Sequence, residues 1–156
     1  MPIQAGQQAP DFTLRDTEKN KVTLSEHKGK NVVLLFFPLA FTGVCTKELC
    51  SVRDNLSVYN GLNATVYGIS VDSLQALNRF KADQSLNFDL LSDFNKEAST
   101  AFDSIYEVFS NDQRGVSKRS AFVIDGEGVV RYAEVLENAG ELPNFDAIHA
   151  TLQSLN

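Results

Sequence analysis

A chain of 156 residues, 43% hydrophobic and 22% charged, is long enough to bury roughly 70% of its unfolded surface, so one domain over 1–156 is expected without disulfide staples. Its net charge is −6, and its 14 Lys and Arg are scattered, with "SKRS" (117–120) the nearest approach to a cluster; this argues against binding nucleic acid or an anionic membrane. The longest apolar run, residues 32–37, is far short of the ~20 that span a bilayer, and the opening "MPIQAGQQAPDF" has neither the basic end nor the apolar core of a signal peptide.

A cytoplasmic protein is therefore expected, and in that compartment cysteine pairs serve redox chemistry or catalysis more often than structure.

In chain order, residues 10–16 and 21–27 alternate apolar and polar positions around "TEKN", the pattern of a hairpin. "NVVLLFF" (31–37) reads as a strand buried on both faces. Residues 43–60 follow with helical periodicity, Leu49, Val52, Leu56 and Tyr59 falling on one face. "ATVYGISVD" (64–72) is rich in β-branched residues and reads as a second strand. Residues 73–84 predict a helix capped by Ser73 or Asp72, followed by a short strand near "FDLLSD" and a helix near "KEASTAFD". "SAFVIDGEGVVRYAEV" (120–135) is the clearest hairpin, turning on "DGEG". An amphipathic helix over 144–155, burying Phe145, Ile148, Leu152 and Leu155, closes the chain. This order predicts an α/β protein with a thioredoxin-like fold: a central mixed sheet flanked by helices, with an extra N-terminal β-hairpin. Fold alone does not assign chemistry.

The two cysteines, Cys45 and Cys50, lie together in "PLAFTGVCTKELC" (38–50). Two cysteines and two distant histidines, His27 and His149, make a poor metal set, and the spacing is not the C-x2-C of a dithiol redox motif. Two buried, inert cysteines are the bland alternative. The surroundings of Cys45 weigh against it. Cys45 falls in the first turn of the predicted helix, where unpaired N–H groups and the dipole's positive end favour an anion and hence a thiolate. Thr42 offers a hydroxyl three residues earlier, Pro38 shapes the approach from the strand, and Gly43 permits close packing.

"P-L-A-F-T-G-V-C" resembles the P-x3-T-x2-C signature of the peroxiredoxins, thiol peroxidases on a thioredoxin-like fold. Glu48 and Arg119 occupy the places of that family's active-site glutamate and arginine, and the element order agrees over about residues 2–155. The resemblance implies that Cys45 is the peroxidatic cysteine, whose thiolate takes the terminal oxygen of a hydroperoxide and becomes a sulfenic acid. Thr42 would then hold peroxide and thiolate, with Arg119 stabilising the charge and Glu48 orienting that arginine. Val44 and Cys45 would contribute backbone N–H groups to the substrate, and Pro38 would exclude water. Because a free thiol ionises near pH ~8.5, complete ionisation gains less than about 100-fold, or roughly 3 kcal/mol. Most of the acceleration must come from donors placed on the O–O bond.

No cysteine follows residue 50, which sets aside the family's C-terminal resolving cysteine. The C-x4-C spacing resembles the Q-type (bacterioferritin-comigratory) members, in which the second cysteine forms an intramolecular disulfide, whereas "FTGVC" resembles the E-type alkyl hydroperoxide reductases, which often lack it. Cys50 is thus either the resolving cysteine or a spectator, with external thiols reducing Cys45. Residues five apart on an intact helix have Cα atoms ~8.5 Å apart on different faces, beyond the ~7 Å reach of a disulfide, so resolution demands local unwinding.

The resemblance implies hydrogen peroxide and organic hydroperoxides as substrates, Phe36, Phe37, Leu39 and Phe41 as candidates to receive an alkyl chain, and thioredoxin or a similar dithiol as reductant. It implies a homodimer or a monomer, with no cofactor or metal, since the sulfur carries the electrons. A peroxide sensor or holdase using the same oxidation, and a general disulfide oxidoreductase, are the competing functions.

Overall fold

The computed structural model describes residues 3–156. The first half runs β1 (Thr13–Asp16), β2 (Lys21–Thr23), β3 (Asn31–Phe36), α1 (Gly43–Asp54), α2 (Leu56–Gly61), β4 (Ala64–Ser70) and α3 (Leu74–Asp83). The second runs β5 (Asp89–Ser92), α4 (Glu97–Ala101), β6 (Ser120–Ile124), β7 (Val130–Val135) and α5 (Phe145–Ser154). All seven strands join one mixed sheet in the order β2-β1-β5-β4-β3-β6-β7. Parallel pairs β3–β4 and β4–β5 form its centre, and antiparallel pairs extend it to both edges. Helices lie against this sheet, which is the expected thioredoxin-like architecture. The N-terminal hairpin is indeed an addition, joined to β5 with Arg15 opposite Ser92.

β3 shows why "NVVLLFF" lacks alternation. Every residue of the strand is buried because both faces carry a core. Val33, Leu35 and Phe37 meet Leu49 and Val52 of α1, Leu77 and Phe80 of α3, and Ile148 and Leu152 of α5. Val32, Leu34 and Phe36 face the other way, toward Phe12, Leu14, Phe102 and Phe122. Neighbouring backbone satisfies the strand's polar groups on both sides, so a continuous apolar run costs nothing here. The ladder continues one residue beyond β3, with Phe37 N–H on Ile69 O at 2.9 Å. Pro38 has no N–H to offer and the chain leaves the sheet.

The structure departs from the predicted helix over 43–60. It breaks at Asn55, whose backbone (φ −118°, ψ 17°) is not helical and whose side chain donates to Ser51 O at 2.8 Å. An asparagine that satisfies a carbonyl of the preceding turn competes with the helix's own bonding. The break leaves Leu49 and Val52 on one helix and Tyr59 on the next, all in the same core. The first hairpin is also shorter than its pattern, since residues 24–26 turn into a 3-10 segment that buries Leu24. Ser73 and Asn144 cap α3 and α5 by accepting from the N–H groups of Ala76 and Ala147, as those residue types do.

Gly68 of β4 lets α1 sit closely on the sheet. A Cβ there would lie 2.7 Å from Leu90 Cδ2, 3.4 Å from Phe37 Cε1 and 3.5 Å from Leu49 Cδ2. Gly68→Ala is expected to lower the free energy of unfolding in urea by about 1–3 kcal/mol through overpacking; unchanged stability would show that this contact is not tight.

Candidate active site

β3 and β6 bring the site together through their register. Phe36 pairs with Ser120, so the residue entering β6, Arg119, meets the chain leaving β3 just before the loop that starts α1. Cys45 stands in the first turn of α1, 1% exposed. Arg119 is 2% exposed and Glu48 is fully buried.

The guanidinium is held in three directions. Nη2 donates to Cys45 Sγ at 3.1 Å, Nη1 to Glu48 Oε1 at 2.6 Å, and Nε to Ala139 O at 2.9 Å. The loop that supplies Ala139 is itself anchored: Leu136 N–H donates to Arg119 O at 2.9 Å and Tyr106 OH donates to Leu136 O at 3.0 Å. Below it, paired serine hydroxyls, Ser104 with Ser120 and Ser99 with Ser117, both at 2.6 Å, fix the approach to β6. The planar fork leaves Arg119 little freedom, so its Nη2 is aimed at the sulfur before any substrate arrives.

Burial dominates the electrostatics. It pushes the Glu48 carboxyl up from the ordinary 4.5 to about 7, opposed by the charge and hydrogen bond of Arg119 and reinforced by the negative Glu134. Burial alone would depress Arg119; the Glu48 and Cys45 anions beside it outweigh that and tighten its hold on its proton. Glu48 Oε2 has no hydrogen-bond partner among the described residues.

Thr42 stands at the N-cap of α1, but its side chain caps nothing. Its hydroxyl donates to Leu39 O at 2.8 Å, so to any further partner it offers lone pairs rather than a proton. Thr46 N–H makes the first helical bond, to Thr42 O at 2.9 Å, which leaves the N–H groups of Val44 and Cys45 without an acceptor inside the helix. Pro38 is buried. Asp72 ties the loop down by accepting from Ala40 N–H at 2.8 Å and from the Ser70 hydroxyl at 2.6 Å. Of the four residues considered for an alkyl chain, Phe36 and Phe37 are sealed in the core and only Leu39 and Phe41 reach the surface. Phe41 is 54% exposed, lies edge-on to Phe80 at 5.1 Å and takes a positive φ of 67°.

Cys50 lies on another face of α1, half-buried, with Sγ donating to Gln84 Oε1 at 3.5 Å. Both thiols are free. The sequence reading did not find Asp72 as the anchor of the loop, nor Glu134 beside Glu48, nor Ala139 O as the third support of Arg119. Nothing in their local sequence marks them, because each acts through a tertiary contact. His27 is engaged elsewhere, with Tyr67 OH at 2.7 Å, and His149 lies against Tyr59. A cleft of about 430 Å³ between β1, the start of α3 and the segment after β5, lined by Arg15, Ser73 and Phe94 among others, contains none of the residues of this cluster.

A sulfur in the first turn of a helix is thus bonded by a guanidinium that the buried Glu48 carboxyl braces. Residues 5–133 match the family described as AhpC/TSA. The chain belongs to that family. Alkyl hydroperoxide reductase E of Mycobacterium tuberculosis is 40% identical over 141 residues, 90% of each chain, and peroxiredoxin Bcp of Bacillus subtilis is 38% identical over 130 residues, 82% of each. Among solved structures, the peroxidoxin BcpB of Mycobacterium tuberculosis superposes with a TM-score of 0.86 at 28% identity over 99% of both chains. The peroxiredoxin Q of Xanthomonas campestris gives 0.79 at 29% identity over 92% of this chain and 90% of its own. The chain is therefore a peroxiredoxin, an enzyme of the thiol peroxidase class. Among its described residues no helix is long and apolar enough to cross a membrane.

The raised Glu48 has a consequence for stability. The folded state holds this proton more tightly than the unfolded chain, so the group's contribution is fully present below pH 4.5 and is lost as pH rises to about 7. Urea unfolding of the reduced protein should show wild type losing stability relative to Glu48→Gln across that window. Parallel pH profiles would show that Glu48 ionises normally.

Proposed function

We propose that the enzyme reduces hydrogen peroxide and organic hydroperoxides with Cys45 as the attacking thiolate, Cys50 as the resolving thiol, and thioredoxin or a similar dithiol of a cytoplasmic, reducing compartment as the source of electrons. The observation that carries this reading is the 3.1 Å bond from Arg119 Nη2 to Cys45 Sγ, braced by the 2.6 Å bond from Nη1 to Glu48 Oε1. A fixed donor at that point lies beside the sulfur and the oxygen it attacks, where charge moves during the reaction.

The substrate's O–H donates to Thr42 Oγ1, whose own proton lies on Leu39 O. The N–H groups of Val44 and Cys45, at the positive end of α1, meet the peroxide oxygens. The thiolate attacks the terminal oxygen in line with the O–O bond. An S–O bond forms, the O–O bond breaks, and the remaining oxygen leaves with its electron pair, takes a proton, and departs as an alcohol, or as water from hydrogen peroxide. Pro38, buried at the end of β3, keeps bulk water from the sulfur. Leu39 and Phe41, at the surface beside this loop, offer apolar contact to an alkyl substituent, and a relative named for alkyl hydroperoxides supports that substrate class.

Cys45 is then a sulfenic acid and sulfur has been oxidised by two electrons. The Cys50 thiol displaces its oxygen as water and an S–S bond forms; a dithiol donor reduces that bond and restores both thiols. With α1 intact the two sulfurs cannot meet, so the first turns must unwind. The helix is built for it: its second half is anchored by Leu49 and Val52 in the core, whereas residues 41–43 are exposed and middling or poor helix formers line the first turn.

Cys45→Ser should abolish peroxide consumption. Cys50→Ser should leave the first oxidation of Cys45 unchanged in stopped flow, remove the intramolecular disulfide seen by intact mass, and slow thioredoxin-coupled turnover; undiminished turnover would make Cys50 a spectator. A sensor or holdase would stop after stoichiometric oxidation, and a general disulfide oxidoreductase would reduce insulin and ignore peroxide.

Amide exchange over residues 42–52 should rise on disulfide formation, and identical protection in both redox states would rule out the unwinding step.

A further inference from the structure

We propose that the buried cluster Cys45–Arg119–Glu48 holds one dissociable proton between its two acids, that this proton resides on Glu48 while Cys45 is a thiolate, and that Glu48 releases it to the departing oxygen when Cys45 is oxidised. The inference rests on the peroxidase reading and gives Glu48 a task beyond bracing Arg119.

Charge and burial lead to it. Cys45, Glu48 and Arg119 are 1%, 0% and 2% exposed, and one guanidinium bonds both acids. If both acids were ionised, the cluster would carry an uncompensated negative charge out of water, a state that burial penalises heavily. If both were protonated, Arg119 would be the unpaired charge. One proton for two acids is the neutral arrangement.

Among the groups facing Glu48, Arg119 enters from the start of β6 and draws the carboxyl toward ionisation. Glu134 of β7 repels a second negative charge, and Tyr59 of α2 stays neutral, its phenol pushed up to about 12 by burial and by Glu48 itself. Glu134 is fixed there by Tyr132 OH at 2.8 Å and Asn144 N–H at 2.9 Å, both donating to its Oε1. Tyr106 feels Arg119 and not Glu48. Glu48 Oε2, buried and without a hydrogen-bond partner among the described residues, is the oxygen left to carry the proton, since Oε1 accepts from Arg119.

Oxidation removes the reason to keep it there. As the sulfur becomes a neutral sulfenic acid, Arg119 loses its anionic partner, and an ionised Glu48 restores neutrality. The step balances: thiolate, protonated Glu48 and hydrogen peroxide give sulfenic acid, ionised Glu48 and water. Condensation with Cys50 forms the disulfide and a second water and leaves the proton count unchanged. The proton travels from Glu48 to the leaving oxygen directly or through water; the balance is the same.

The test is a proton inventory on the reduced full chain, mixed with one equivalent of hydrogen peroxide at neutral pH in weak buffer with an indicator dye, alongside infrared difference spectra. Wild type should take up no proton per Cys45 oxidised and should lose the C=O stretch of a protonated carboxyl. Glu48→Gln cannot store the proton, so its oxidation should draw one from solution and show no such band. If Glu48 only orients Arg119, wild type takes up one proton and no carboxyl band changes, which overturns the inference. Uptake of none without a band change puts the proton on the sulfur and overturns it as well, as does net release. Both wild-type readouts stand even where the variant fails to fold. Failure of Cys45 to oxidise at all would instead remove the peroxidase reading on which the inference rests.

Discussion

A single guanidinium, Arg119, is bonded at once to a sulfur and to a carboxyl group, and all three groups are buried. Most of what surrounds the site is explained by the need to hold that cation still. It cannot give up its proton, so it must be paired; it must be paired in the plane of its fork, so its partners must come from different parts of the chain. Glu48 comes from the second turn of α1, the sulfur from the first, and Ala139 O from the loop after β7. The fold's task is to deliver these to one point.

Delivery relies on β3. Its position at the centre of the sheet, parallel to β4 on one side and antiparallel to β6 on the other, places the end of β3 beside the start of β6. The residue that enters one strand therefore meets the loop that leaves the other. Pro38 ends the ladder, Asp72 holds the loop to the end of β4, and α1 begins with its N-terminus over the junction. The apolar faces that lock β3 between two cores thus also fix the distance between Arg119 and Cys45. Gly68, which admits Leu49 and Phe37 closely to the sheet, belongs to the same chain of constraint, since Leu49 lies on the helix that carries both Cys45 and Glu48.

What the sequence revealed and what it hid divide along the same line. Strands with strong composition, the capped helices at Ser73 and Asn144, and the Pro38–Thr42–Cys45 spacing are local signals, and each was legible without coordinates. Glu48 and Arg119 were legible only through family likeness, because neither a helix glutamate nor an arginine before a strand announces a burial that 71 residues of separation bring about. The break at Asn55 was missed because hydrophobic periodicity passes across it almost undisturbed. Asp72 looked like a capping residue and turned out to be an anchor for the active-site loop. Thr42 was expected to hold the thiolate, yet its proton goes to Leu39 O; hydroxyl direction is set by the loop's own turn, and no residue spacing encodes it.

The ion pair itself is a poor way to stabilise a protein. Desolvating a cation and a carboxylate offsets most of their attraction, and well-packed apolar side chains of similar volume serve stability as well or better. Stability alone therefore does not account for Arg119 and Glu48 in this core. What an apolar replacement cannot supply is a cation next to the sulfur. The same desolvation that makes the pair costly raises the Glu48 carboxyl to about 7. In this site the energetic disadvantage of burial and the raised proton affinity of the buried acid have one physical origin.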